Sequence, residues 1–215
     1  MATIKEPDWL EALKPLLKHF HGKKHPLQYK SRYQLVVMVI LSARDSDRNI
    51  NALAAELFKK FSSMNVLATA KPEDLYPYIG KVINFANKAN WLVKLAKVVE
   101  EDENIPHTME DLTKLTGIGR KSANVIMMES GDEPEGVMVD LHVLRVAPRI
   151  GIAQGTNPEK IEKQLMEKIP QKYWGHLGMS LSHLGREICR PTNPRCSECP
   201  VMKNCAYYRQ LKGKA

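Results

Sequence analysis

The sequence predicts an all-α protein, and three observations carry that prediction. Apolar residues recur at the spacing of an α-helix along most of the 215-residue chain. No sustained alternation of apolar and polar residues, the pattern of a half-buried strand, competes with that spacing. Glycines and prolines break the chain at intervals, and the helices of roughly ten to sixteen residues predicted between these breaks have a length that suits a globular protein.

The predicted helices follow one another along the chain. The stretch 33–43 is apolar nearly all round, which predicts a helix buried at the centre of a bundle. Thr108, with Asp111 three residues on, resembles a capping box and predicts a short helix running to Leu115. The other amphipathic faces are Leu10, Leu13, Leu16 and Leu17; Leu53, Leu57, Phe58 and Phe61; Leu92, Leu95, Val98 and Val99; Ile161 and Leu165; and Leu177, Leu181, Leu184 and Ile188.

Composition narrows the class of partner. The formal net charge is +8 and the pI is near 9.3, a balance that suits contact with a phosphate backbone. Many basic proteins bind no nucleic acid, so charge needs a motif beside it. The N-terminal segment has no apolar signal-peptide core, and the longest apolar stretch, 35–41, is too short to span a bilayer. We therefore expect an intracellular, cytoplasmic protein with no membrane partner.

All four cysteines lie near the C-terminus with the spacing C-x6-C-x2-C-x5-C. Two disulfides are unexpected in an intracellular chain. A zinc site usually shows two close-spaced pairs, whereas only one such pair is present here. A 4Fe–4S cluster held by four thiolates fits the spacing better, although spacing alone leaves zinc open. The four cysteines are Cys189, Cys196, Cys199 and Cys205, and the arginines crowding them include Arg186, Arg190 and Arg195.

A glycine turn between two predicted helices carries the strongest signal. The helix that ends at Leu115 is followed by Gly117 and Gly119, and a second helix is predicted to begin near Arg120. Glycines allow positive φ and let the backbone approach a phosphate, at which the amides of the helix N-terminus then point. This arrangement predicts a DNA-binding helix–hairpin–helix with Lys121 in the first turn of its second helix.

Asp140 stands where a glycine-containing loop gives way to another helix, in Val-Asp-Leu-His-Val-Leu-Arg. Taken alone, this position predicts an N-cap and nothing more. Together with Lys121, it allows a second interpretation, in which amine and carboxylate form a catalytic pair.

The hairpin, the Val-Asp-x-His-x-x-Arg segment and the four-cysteine loop together resemble the endonuclease III family of the helix–hairpin–helix glycosylase superfamily. The resemblance covers roughly 34–208. It implies a six-helix barrel domain over 25–135 that contains the hairpin, and a second helical domain, 1–24 with 136–215, that holds a 4Fe–4S cluster loop. It also implies a monomer acting on double-stranded DNA that contains a damaged base or an abasic site, in the nucleoid if the source is a prokaryote.

The same resemblance implies the chemistry. Lys121 is the nucleophile that attacks C1′ of a flipped-out nucleotide, forms a Schiff base and nicks the strand by β-elimination. Asp140 is the essential carboxylate, which stabilises the sugar cation. Arg120, the helix N-terminus and partial burial are expected to favour a neutral Lys121 amine. Oxidised pyrimidines are the expected lesions.

The chain departs from the family where side chains enter the duplex. Arg44 follows Leu-Ser-Ala, where the family has glutamine, and Asn84 replaces a hydrophobic wedge. Leu141 replaces a threonine beside Asp140. These departures leave uracil or mismatched thymine open as substrates. The expected DNA contacts are Arg44, Asn84, Gly117, Gly119, Arg120, His142, Arg145, Arg186, Arg190 and Arg195.

Two other functions compete with a bifunctional enzyme. A monofunctional glycosylase would carry Lys121 without using it. A non-catalytic DNA-binding module would use the hairpin and cluster for docking only, and the presence of both Lys121 and Asp140 argues against it.

Overall fold

The computed structural model describes residues 6–213, and within that range it contains helices and loops but no strand. The predicted all-α class is therefore confirmed. The ends of the predicted second domain, 1–5 and 214–215, lie outside the described residues. No helix in the described range is both long enough and apolar enough to cross a membrane.

Twelve α-helices make up the described range. Short 3₁₀ turns cover Asp102–Asn104, Gln171–Tyr173, Cys196–Glu198 and Met202–Asn204. The α-helices are α1 Trp9–His19, α2 Arg32–Ser42, α3 Asp47–Lys60, α4 Met64–Ala68, α5 Pro72–Ile79, α6 Phe85–Val99, α7 Met109–Lys114, α8 Arg120–Ser130, α9 Leu141–Ile150, α10 Pro158–Lys168, α11 Trp174–Glu187 and α12 Ala206–Lys212.

The chain forms two compact units. Residues 24–132 form one unit, which contains α2 to α8 and is called the hairpin unit below. Residues 6–23 and 133–213 form the other, which contains α1 and α9 to α12 and is called the cysteine unit. That these units correspond to a barrel over 25–135 and a cluster-bearing domain stays a prediction.

Helix α2 is the centre of the hairpin unit. The hydroxyl of Ser31 caps it by accepting the N–H of Gln34, and an unbroken run of apolar side chains from Leu35 to Leu41 is buried. The helix packs against α3, α6 and α8. Burial on every side explains why its sequence shows no polar face, and the predicted central helix is confirmed.

Helix α11 has the same central place in the cysteine unit, where α1 and α9 pack against it. Two glycines allow that packing. A Cβ at Gly185 would lie 2.8 Å from the Cβ of His142 on α9, and one at Gly178 would lie 2.8 Å from the carbonyl oxygen of Met138. Both distances are too short for a real Cβ, so glycine is required where α9 and its preceding loop approach α11.

One predicted core residue is wrong. Val98 is 73% exposed, whereas Leu92 and Val99 are buried. At 3.6 residues per turn, Val98 lies about 120° around the helix from Leu92, and the buried stripe follows the α-helical period past it. The hydrophobicity of Val98 predicted a core position, but its angular position around the helix axis places the side chain in solvent.

Candidate active site

Two helices and a tight turn form the predicted hairpin. Thr108 caps α7 by accepting the N–H of Asp111 at 3.2 Å. The helix ends at Lys114, and Ile118 N–H donates to the carbonyl of Leu115 within the turn. The second helix, α8, begins at Arg120, as the sequence predicted.

The two hairpin glycines have different reasons to be glycine. Gly117 has φ +88°, and a Cβ there would lie 3.3 Å from Trp91, so both conformation and packing favour glycine. Gly119 has φ −97°, an extended conformation that other residues also adopt, so a positive φ does not explain the glycine there. A Cβ at Gly119 would meet nothing within 4 Å. Its site therefore leaves open space beside the first turn of α8.

The first turn of α8 faces solvent. Gly119 is its N-cap and supplies no side-chain hydrogen bond. Lys121 is exposed, so the expected partial burial of its amine is wrong. Among the described residues, Lys121 has no hydrogen-bond or ion-pair partner. The amine is therefore free to reach a ligand that approaches the uncapped helix end.

Asp140 is held by three hydrogen bonds. Its Oδ1 accepts the N–H groups of His142 and Val143, both at 2.8 Å, which makes it the N-cap of α9. Its Oδ2 accepts the hydroxyl of Ser182 on α11 at 2.7 Å. Ser182 is 1% exposed. An N-cap needs only the first two bonds, so the third fixes the carboxylate beyond what capping requires.

Ser182 lies outside the sequence motifs that predicted the site. A signal was present, because Gly178, Ser182 and Gly185 recur at i, i+4 and i+7, which places three small side chains on one face of α11. That face lies against Met138 and α9, where Asp140 begins the helix.

His142 and Arg145, both predicted DNA contacts, point into their own unit. The Arg145 guanidinium donates to the carbonyls of Gly185 at 2.9 Å and Cys189 at 3.2 Å. Burial lowers the pKa of His142, and the nearby Arg186 and Arg145 charges act in the same direction, while Asp140 opposes them. The structure thus gives Arg145 an internal role that links α9 to α11 and the cysteine loop.

The four cysteine side chains line a single small cavity. None of them forms a disulfide. Burial raises the pKa of the Cys199 thiol to about 11 and also raises those of Cys196 and Cys205. Apolar side chains complete the lining, among them Ile150, Leu184, Ile188 and Met202.

Arg149 braces the cysteine loop from α9. Its guanidinium donates to the carbonyls of Arg190 at 2.7 Å and Pro191 at 3.1 Å, and it lies 3.6 Å from the Sγ of Cys189. It also stacks over the ring of Tyr207, at 4.7 Å from the centroid. Within 6–213, no three His, Cys, Asp or Glu side chains converge closely enough to hold a single metal ion.

The three predicted loop arginines differ in their hydrogen-bond and ion-pair partners. Arg190 and Arg186 are exposed, and Arg186 Nε lies 3.4 Å from the hydroxyl of Ser182. Arg195 pairs with Glu198 at 2.8 Å and donates to the carbonyl of Glu187 at 2.7 Å. Arg195 is therefore partly engaged within its own loop.

Arg44 and Asn84 lie on two loops of the hairpin unit, and both are exposed. Arg44 follows α2, and Asn84 is the N-cap of α6. Ile83, next to Asn84, is 56% exposed, and Leu141, next to Asp140, is 79% exposed. Large apolar side chains thus lie in solvent beside two predicted site residues.

Comparison with known proteins identifies the class. Residues 37–171 match the family model described as HhH-GPD superfamily base excision DNA repair protein. The all-helical fold and the helix–hairpin–helix observed at 109–130 agree with that class. The chain is 34% identical to endonuclease III of Thermotoga maritima over 196 residues, 89% of this chain and 91% of that protein. It is 36% identical to endonuclease III of Synechocystis over 197 residues, 91% and 90% of the two chains. The chain belongs to the endonuclease III family.

Solved structures agree with this assignment. A structure described as a trapped endonuclease III–DNA covalent intermediate, an estranged-adenine complex, superposes with a TM-score of 0.86 at 27% identity and covers 96% of this chain and 99% of that chain. A thermostable thymine-DNA glycosylase shares the fold, with a TM-score of 0.77 at 20% identity over 94% of this chain and 97% of that one.

Proposed function

We propose that this protein is a base-excision repair DNA glycosylase that also cleaves the resulting abasic site, with Lys121 as nucleophile and Asp140 as the essential carboxylate. The observation that carries this proposal is the partner-free, exposed amine of Lys121 in the first turn of α8, directly after the hairpin. Family membership supports it independently.

The Lys121 amine can perform both steps with balanced bonds. Its lone pair attacks C1′, and the damaged base leaves with the electrons of the N-glycosidic bond and takes up the proton that the nitrogen loses. The C1′–O4′ bond then opens, O4′ takes up a proton from solvent, and the nitrogen and C1′ are left joined as a protonated Schiff base. Loss of a proton from C2′ expels the 3′ phosphate, which is β-elimination. A side chain without internal partners loses no existing bond when it moves toward the sugar.

Asp140 supplies the complementary charge. As the base departs, positive charge develops on the sugar, and a carboxylate fixed in place stabilises that charge without reorganising during the reaction. The N–H groups of His142 and Val143 and the hydroxyl of Ser182 hold the carboxylate in one orientation. Its bonds as an N-cap are therefore compatible with catalysis.

The four cysteines would hold a 4Fe–4S cluster. Such a cluster places one iron at each thiolate, which fits four sulfurs spread around a cavity. A single zinc ion instead needs all four sulfurs about 2.3 Å from one point. The Arg149 guanidinium beside Cys189 suits a negatively charged sulfur. When bound, the cluster would cross-link the 189–205 loop and so stabilise its basic surface.

DNA contact is proposed at both units. In the hairpin unit, the backbone of Gly117 and Gly119 and the side chain of Arg120 would meet a phosphate, while Arg44 and Asn84 would enter the duplex. In the cysteine unit, Arg186 and Arg190 would contact the DNA backbone, although Arg186, like Arg195 and Arg145, already has a partner within the protein. The protein would act as a monomer, at the nucleoid of a prokaryote.

Oxidised pyrimidines are the proposed lesions, and an oligonucleotide panel tests the proposal. Duplexes with a single oxidised pyrimidine, uracil, mismatched thymine or abasic site would be incubated with the purified holoprotein. Base release and strand cleavage would be measured separately. We expect base release from the oxidised pyrimidine accompanied by cleavage. Base release that yields an intact abasic strand would indicate a monofunctional enzyme, and no release or cleavage on any duplex would contradict the proposal.

A further inference from the structure

Two exposed residues of the hairpin unit have backbones in the left-handed region. Arg44 has φ +62° and Asn84 has φ +60°. Asparagine adopts this region more readily than other non-glycine residues, but for arginine the conformation is unfavourable and persists only where the surrounding structure holds it. The contacts of these two loops must therefore hold Arg44 in this conformation.

Asp45 joins the two loops. Its Oδ2 accepts the N–H of Ile83 at 2.9 Å, and its Oδ1 accepts the N–H of Ser46 at 2.8 Å and the amide of Asn49 at 3.0 Å. Arg44 directly precedes Asp45, and Asn84 directly follows Ile83. The hydrogen bond between Ile83 and Asp45 therefore joins two residues, each of which is next in sequence to a residue with a left-handed backbone.

The buried side chain of Lys88 forms further hydrogen bonds that stabilise the same region. Its side chain is 2% exposed, and its ammonium donates to the carbonyls of Leu41 and Ala43, both at 2.7 Å. These carbonyls end α2, where the helix dipole favours a cation. Burial lowers the pKa of Lys88, while the charge of Asp45 opposes that change. Helix α6 is thus bonded to the chain immediately before Arg44.

The Asp45 carboxylate is well suited to this role. Desolvation alone would raise its pKa, but the N–H of Ile83, the amide of Asn49, the N–H of Ser46 and the charge of Lys88 together lower it. Its oxygens bond to these donors rather than to the guanidinium of Arg44. The Arg44 side chain is left available for a ligand.

A fixed pair of polar side chains can distinguish bases. Arginine offers only donors, whereas asparagine offers donors and an acceptor, and the edges of the four bases differ in their donors and acceptors. Such discrimination requires the side chains to be held within a fraction of an ångström. We propose that Asp45 is a positioning residue that holds Arg44 and Asn84 as one edge, and that this edge discriminates between the bases opposite the lesion. This inference rests on the proposed function.

Equilibrium binding tests the inference without requiring catalysis. The ligands are duplexes with a tetrahydrofuran abasic-site analogue opposite each of the four bases. The readout is the ratio of the largest Kd among these duplexes to the smallest. The variants are Asp45→Ala, Arg44→Ala and the double variant. Asp102→Ala is the matched control, because Asp102 also accepts a backbone N–H 38 positions away in the same unit, that of Met64 at 2.7 Å.

We expect Asp45→Ala to lower the ratio about three- to tenfold, as loss of a hydrogen bond that orders the site would. The ratio should approach that of Arg44→Ala, and the double variant should lower it no further. Asp102→Ala should keep the wild-type ratio even if its melting temperature falls as much. If Asp45→Ala does not fold, Asp45→Asn replaces it. With one acceptor oxygen instead of two, this variant should show a smaller fall.

Three results would overturn the inference: a wild-type ratio of one, an unchanged ratio in the Asp45 variants, or additive falls in the double variant. A different result would overturn the proposed function itself. That result is wild-type protein that binds the abasic duplexes no more tightly than undamaged DNA.

Discussion

The two proposed catalytic residues lie in opposite kinds of environment. Lys121 is exposed at an uncapped helix end and has no partner among the described residues. Asp140 is the N-cap of α9, which packs closely against α11 where α11 has glycine. Three hydrogen-bond donors fix the Asp140 carboxylate. The difference matches the two tasks. A nucleophile must travel to the sugar and then remain attached through several steps, whereas an electrostatic group is most effective when it does not move.

Replacing Asp140 should have the largest effect on rate. Asp140→Asn keeps the N-cap, because asparagine caps about as well as aspartate, so the melting temperature should change little. Base release should fall by about 10²–10³-fold, the size of effect seen when one electrostatic stabiliser of a transition state is removed. Single-turnover base release and a thermal melt measure the two quantities. A variant of near wild-type activity would reduce Asp140 to a cap.

Ser182 tests whether fixing the carboxylate matters. Ser182→Ala removes one hydrogen bond to Asp140 and should slow base release by about three- to tenfold with little change in DNA affinity. Ser180→Ala is the control, since Ser180 is also buried on α11 and, within residues 6–213, forms no hydrogen bond with Asp140. Equal rates for the two variants would show that the third bond is dispensable.

The cysteine unit should lose stability in mild acid. Burial lowers the pKa values of His142 and His183, so the unfolded chain binds more protons than the folded one below about 6.5. Stability should therefore decrease as pH falls through this window. Denaturant midpoints between pH 7.5 and 5 would show the decrease, and His183→Gln should reduce it. The exposed His176→Gln should not, and a flat wild-type profile would contradict the prediction.

The smallest expected effects are those of the loop arginines. Arg190→Ala should reduce the salt dependence of abasic-DNA binding by about one unit per lost phosphate contact. Arg195→Ala should do less, because Arg195 already pairs with Glu198. Binding titrations at several salt concentrations give both slopes. Unchanged slopes for both variants would mean that this loop does not touch DNA.

The hairpin could be predicted from sequence because its determinants are local. The capping threonine, the two glycines and the start of α8 at Arg120 all lie within the single short segment 108–120. The central helix α2 was predictable for the same reason, since a run of apolar residues has no other stable place.

The contacts that fix the site could not be predicted in the same way. The Ser182–Asp140 bond and the Asp45–Ile83 bond join residues about forty positions apart. They depend on how helices pack, which no local pattern encodes. The exposure of Lys121 was missed for the opposite reason, because catalytic chemistry suggested burial and the helix end instead faces solvent.

The most direct test of the account is identification of the attacking amine. Borohydride reduction during reaction with lesion or abasic DNA should trap a covalent complex, and mass analysis of its peptides should place the DNA adduct on Lys121. Lys121→Gln should abolish trapping while DNA binding stays nearly unchanged, because the proposed phosphate contact of the hairpin amides does not depend on that side chain. Trapping that survives in Lys121→Gln, or an adduct mapped to another residue, would contradict the account.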